Sequence, residues 1–103
     1  IWIFFPDPWP KKKHFKRRLI TSIFFKKLYQ FIKKNGELCI VTDSTSYSRF
    51  ILKNIHNSKN QYLWINQNEF YLDLKDYYDL ETKFYKKAII SGRKPSLFIL
   101  KKI

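Results

Sequence analysis

Two short apolar runs without polar interruption, Ile1 to Phe5 (IWIFF) and Leu38 to Val41 (LCIV), leave this chain few ways to fold. A strand with one wet face alternates apolar and polar residues. A continuous run instead suits a strand buried on both faces, as in parallel sheets covered by helices. Trp2 to Phe5 therefore reads as a fully buried strand, stopped and stiffened by Pro6, Pro8 and Pro10. Leu38 to Val41 reads as a second, ending at Thr42 and Asp43.

Between them the spacing becomes helical. Thr21 or Ser22 is placed to cap a helix whose inner face carries Ile23, Phe24, Leu28, Phe31 and Ile32. Lys33 and Lys34 favour its C-terminal dipole, and Asn35-Gly36 supplies a left-handed stop. A second helix is predicted from about Thr45 to Ile55, with Tyr47, Phe50, Ile51 and Ile55 inward and Asp43 available as its N-cap. Asn57 to Asn60 reads as a polar loop, Tyr62 to Ile65 as a strand, Thr82 to Ile90 as a short helix and Leu97 to Leu100 as a last strand. The aromatics between Phe70 and Tyr78 read as packing or loop anchors. This order suggests the second half of a doubly wound α/β sheet. Ligands in such sheets bind at the carboxyl ends of the parallel strands, and Asp7 and Asp43 each follow such an end.

Asp7 sits between two prolines, with Trp9 and Pro10 beside it, and six of the eight residues from Lys11 to Arg18 are Lys or Arg. The prolines lower the entropy lost in holding the carboxylate still. Six neighbouring cations repel one another unless an anion damps their field, as a phosphate backbone does. His14 and Phe15 lie within the cluster and can stack or pack. The formal charge of +13 points the same way. Part of that total follows a composition rich in Lys, Ile, Phe, Tyr and Asn, so the local cluster carries the argument.

Several classes are excluded. Cys39 is the only cysteine, leaving no disulfide framework or cysteine-based metal site within the chain, and a buried structural role is expected for it. His14 has no second ligand at a metal-binding spacing, so no metal is expected. No apolar stretch reaches the roughly 18 residues that span a bilayer, and the first residues do not form a signal peptide. No membrane partner and a cytoplasmic location are expected.

FPDPWPKKKHFKRR resembles the signature of the bacterial tRNA (guanine-N7-)-methyltransferases, in which a Pro-Asp-Pro-Trp turn enters a Lys/Arg/His-rich loop. The resemblance continues through Gly36-Glu37-Leu38, Val41-Thr42-Asp43 with Tyr47, and Thr82-Lys83-Phe84, in the family's order. It implies the C-terminal half of a class I S-adenosylmethionine-dependent methyltransferase, with a Rossmann-like sheet and flanking helices. Residues 1–103 are expected to form a partial domain whose N-terminal, cofactor-binding half lies outside them. The implied reaction moves a methyl group from S-adenosylmethionine to N7 of a variable-loop guanine in tRNA. By the same resemblance, Asp7 is the active-site carboxylate at the junction of cofactor and base. Lys11 and Asp43 contact the guanine or its nucleotide. Lys13, His14, Lys16, Arg17 and Arg18 hold the tRNA backbone, and Thr82, Lys83, Phe84 and Tyr85 form a later substrate-binding segment. The chain departs from the family's pattern at Tyr85, Asp79-Leu80 and Ser44, and Gly92 is a remnant of the last segment. The alternative reading is a non-catalytic RNA-binding remnant that keeps the basic loop and binds no cofactor alone.

Overall fold

The computed structural model describes residues 1–66 and 95–103. β1 spans Trp2–Phe4, α1 Ser22–Tyr29, β2 Glu37–Thr42, α2 Thr45–Asn57, β3 Tyr62–Trp64 and β4 Ser96–Lys102; a 3₁₀ helix at Lys12–Arg17 occupies the basic loop. The strands form one mixed sheet in the order β1-β2-β4-β3. β1 and β2 are parallel, with Phe4 opposite Val41, and β4 runs antiparallel to both β2 and β3. The helix expected over 82–90 and the aromatics of 70–78 lie outside the described residues.

The continuous apolar runs go where burial requires. Leu38 to Thr42 and Ser96 to Leu100 are all buried, as befits the two central strands. β3 lies at one edge of the described sheet, burying Tyr62 while Leu63 faces out. β1 corrects the expectation of full burial. It lies at the other edge of the described sheet, paired on one side only, and its residues are half-buried. Both helices contribute to one core on a single face, with Leu38, Ile40, Phe98 and Leu100 beneath them. Cys39, Val41, Leu97 and Ile99 cluster on the opposite face.

α1 begins as predicted, with the Thr21 hydroxyl accepting from the Phe24 N–H at 3.1 Å. Asn54 of α2 accepts from the Ser22 N–H at 2.8 Å, so one helix helps cap the other. The inner face keeps the expected Phe24, Leu28 and Ile32 but not Ile23 or Phe31. Phe25 is fully buried with Ile32, whereas Ile23 and Phe31 are 67% and 74% exposed. The helix ends at Tyr29, so Phe31 falls outside its periodicity, and the inward set is Phe24, Phe25, Leu28, Tyr29 and Ile32. Lys102 closes the helix by donating from Nζ to the carbonyls of Tyr29 and Ile32, at 2.9 and 2.8 Å. In the stop that follows, Asn35 takes the left-handed conformation at φ 64°. Gly36 serves close approach instead, since a Cβ there would stand 2.8 Å from the Lys33 carbonyl oxygen.

Tyr62 fastens the edge strand to α1 by donating its hydroxyl to the Phe25 carbonyl at 2.6 Å. Burial pushes its phenol up to about 12, with Tyr29 adding a smaller push. A folded pKa raised above the unfolded value near 10 gives stability that is complete below pH 10 and lost as pH climbs through about 12. The urea midpoint should therefore fall more steeply between pH 10 and 12 in the parent chain than in Tyr62→Phe. Parallel pH profiles would refute this coupling.

Candidate functional site

β1 and β2 run parallel and in register, so both end at one edge of the sheet and release Asp7 and Asp43 there. The Phe5 N–H makes a last bond to the Val41 carbonyl at 2.7 Å. Phe5 and Trp9 then adopt left-handed backbone conformations, with φ of 48° and 41°. For bulky residues such conformations cost roughly 1–3 kcal/mol each and persist only where the surroundings enforce them. Asp7 lies midway between these two bends. Its Oδ1 accepts from the Trp9 N–H at 3.1 Å, closing an Asx turn, and the residue is exposed.

The six cations of the basic loop divide into two kinds. Lys11, Lys12, Lys13, Lys16 and Arg17 are exposed, so the loop presents five positive charges outward. Arg18, expected among the backbone-holding cations, is instead turned inward and only 4% exposed. Its Nε donates to the Pro8 carbonyl at 2.8 Å and its guanidinium to the Ser46 hydroxyl at 2.9 Å. The guanidinium centre lies 3.9 Å from the Phe15 ring centroid, 4.9 Å from Phe50 and 5.2 Å from Tyr47. Desolvation lowers its pKa from the usual arginine value, and Tyr47 partly offsets this.

The 3₁₀ helix sets His14 and Arg17 against Trp9. His14 stands edge-on to it at 5.5 Å, and the Arg17 guanidinium lies 5.1 Å from its ring. His14 and Phe15 are half-buried. The loop is thus an ordered surface with an aromatic base.

Asp43 is half-buried and does not cap α2. Ser44 does, its hydroxyl accepting from the Tyr47 N–H at 3.2 Å. The Thr42 hydroxyl accepts from the Ser44 N–H and turns the chain so that Ser44 occupies the cap. Tyr47 is fully buried and accepts from the Ile20 N–H at 3.0 Å. Burial chiefly raises its pKa, with the Asp7 charge among the smaller causes. Cys39 is buried and its thiol is pushed up to about 11, chiefly by that burial, which fits a packing role.

The structure thus brings Asp7, Lys11, Asp43 and the exposed basic loop to one sheet edge. Thr82, Lys83, Phe84 and Tyr85 lie outside the described residues. Ser46 and Phe50, which hold Arg18, were not foreseen as part of this region. Only Phe50's place on the inner helix face hinted at them. Among the described residues no cluster of His, Cys, Asp and Glu could hold a metal ion, and no helix is long and apolar enough to cross a membrane.

A family model described as "Putative methyltransferase" matches residues 1–96. The tRNA (guanine-N(7)-)-methyltransferase of Buchnera aphidicola subsp. Schizaphis graminum is 44% identical over 105 residues, covering 99% of this chain and 43% of the relative. The protein of that name from Thermus thermophilus is 49% identical over 49 residues, covering 48% of this chain and 16% of its own length. A bifunctional methyltransferase of Rickettsia conorii is 36% identical over 103 residues, covering all of this chain and 19% of the relative. The chain spans less than half the length of these curated relatives.

Proposed function

This chain belongs to that methyltransferase family, and we propose that it forms the C-terminal, substrate-facing half of a tRNA (guanine-N7-)-methyltransferase. In this reading the mixed sheet is part of a class I, Rossmann-like domain, and residues 1–103 act with an N-terminal cofactor-binding half in the cytoplasm. The parallel β1–β2 pair joined through α1 supports it. The observation that carries the functional reading is Asp7: an exposed carboxylate on a strained turn at a parallel strand end, beside five outward cations.

S-adenosylmethionine, when bound, supplies a methyl group on a positively charged sulfonium. Among the described residues Asp7 fits such a neighbour best, because a fixed exposed carboxylate complements a cation without a proton transfer. Guanine N7 already offers a lone pair, so the chain needs no general base. It must hold the base in line and stabilise the positive charge that appears on the ring once N7 is alkylated. Asp7 does the second. Lys11 and Asp43 orient the guanine or its nucleotide, and Thr82, Lys83, Phe84 and Tyr85 complete the substrate side. Lys13, His14, Lys16 and Arg17 hold the tRNA backbone, with affinity that falls steeply as salt rises.

The test is methyl transfer by a chain of the relatives' full length that carries this segment, given labelled S-adenosylmethionine and unmodified tRNA. The expected product is 7-methylguanine in the variable loop, absent when that guanine is replaced by 7-deazaguanine. Label that persists in the deaza substrate, or that appears on another atom, would overturn the proposal.

A further inference from the structure

We propose that Arg18 is a positioning residue: it braces the Asp7 turn against the first turn of α2 and contacts no phosphate. This deepens the methyltransferase reading and rests on it.

The inference starts from where the guanidinium is. Its two hydrogen bonds tie Pro8, the residue next to Asp7, to Ser46 near the start of α2. Phe15 from the 3₁₀ helix and Tyr47 and Phe50 from α2 face the same group. One side chain therefore joins the three pieces that define the sheet edge: the proline turn, the basic loop and the α2 terminus. Among the described residues both hydrogen-bond partners are uncharged, and dipoles and ring faces surround the cation. At 4% exposure the guanidinium is covered, so a phosphate could reach it only by displacing its neighbours.

The brace has something to hold. Phe5 and Trp9, on either side of Asp7, are both left-handed, and a turn carrying such strain relaxes unless it is pinned. The Phe5 N–H ties the start of the turn to the Val41 carbonyl on the sheet. The Asx bond from Trp9 to Asp7 fixes the turn's internal shape, not its orientation on the sheet. The Arg18 bond to Pro8 pins the turn on its other side, beyond Asp7. Lysine cannot substitute, because a single ammonium on a flexible stem does not reproduce two bonds from a planar fork stacked on rings.

Two measurements test this. The first is the salt dependence of tRNA binding by this chain. Arg17→Ala and Lys13→Ala should each lower the slope of log affinity against log salt by about one. Arg18→Gln should leave the slope at the parent value although it also removes a charge. A slope lowered by about one in Arg18→Gln would mark a phosphate contact and overturn the proposal. The second is turnover in a full-length chain carrying the segment. Arg18→Lys should lower kcat at least tenfold with KM for tRNA within twofold. Ser46→Ala, at an exposed position that tolerates truncation, should shift kcat in the same direction by a smaller factor. Because Ser46→Ala leaves the core intact, it reads the brace even if Arg18 variants fold poorly. An unchanged kcat in Ser46→Ala and Arg18→Lys, or a rise in KM alone, would refute it. If the parent binds tRNA yet transfers no methyl group, the proposed function fails, while the salt slopes still decide between brace and phosphate contact.

Discussion

Asp7→Asn, in a chain of the relatives' full length, is expected to lower methyl transfer by roughly 10²–10³-fold, the range found when one pre-organised electrostatic contact to a transition state is removed. The substitution isolates charge from shape. An asparagine oxygen can still accept the Trp9 N–H that Oδ1 accepts now, so the turn between the two left-handed residues is retained. What disappears is the negative charge that the proposed function sets against the cation formed on the guanine ring. Asp7 is not one of the five outward cations, so tRNA affinity should not fall and its salt slope should stay near that of the parent. The reading would be wrong if turnover were retained, or if affinity fell as far as turnover. In the latter case the carboxylate would be holding the turn or the tRNA and not the developing charge.

The largest stability effect is expected at Phe25→Ala. Phe25 is fully buried, its ring 5.4 Å from that of Tyr62. Its carbonyl accepts the Tyr62 hydroxyl, so it anchors α1 and β3 together. Truncating a buried phenylalanine costs about 3–5 kcal/mol from lost transfer energy and the cavity left behind. Domains of this size hold only about 5–15 kcal/mol in total. Urea unfolding should show the loss as a lowered midpoint. Ile23→Ala, two residues away on the exposed side, should stay within about 0.5 kcal/mol. Equal losses at the two positions would refute the assigned helix phase.

These residues also show how far the sequence could be read. β2 and β4 were legible because runs of buried residues at central strands leave no polar interruption. The phase of α1 was not. Ile23, Phe24 and Phe25 are three apolar residues in a row, and local periodicity accepts any of them as the inward one. The choice is made by Tyr62 and Lys102, far along the chain, which bind carbonyls of this helix region. Capping of α2 was ambiguous for a similar reason. Asp43 and Ser44 are both good cap types, and the Thr42 hydroxyl decides by turning the chain one residue later. In the candidate site, Asp7 was legible from its prolines and its place after a strand. Arg18 was not, because six cations in a short stretch look alike until Ser46, Phe50 and Tyr47 on another element single one out.

The position of β4 bears on how the chain reaches this structure. It is the last described strand in the sequence, yet it lies between β2 and β3, pairing Val41 with Leu97 and Leu63 with Lys101. Among the described strands, β2 and β3 have no ladder joining them until it arrives. On a ribosome, the earlier strands are made before the segment that unites them. Such long-range closure is slow and gives partly built sheets time to pair wrongly. The charge of the basic loop bears on that interval too, because like-charged nascent chains repel one another.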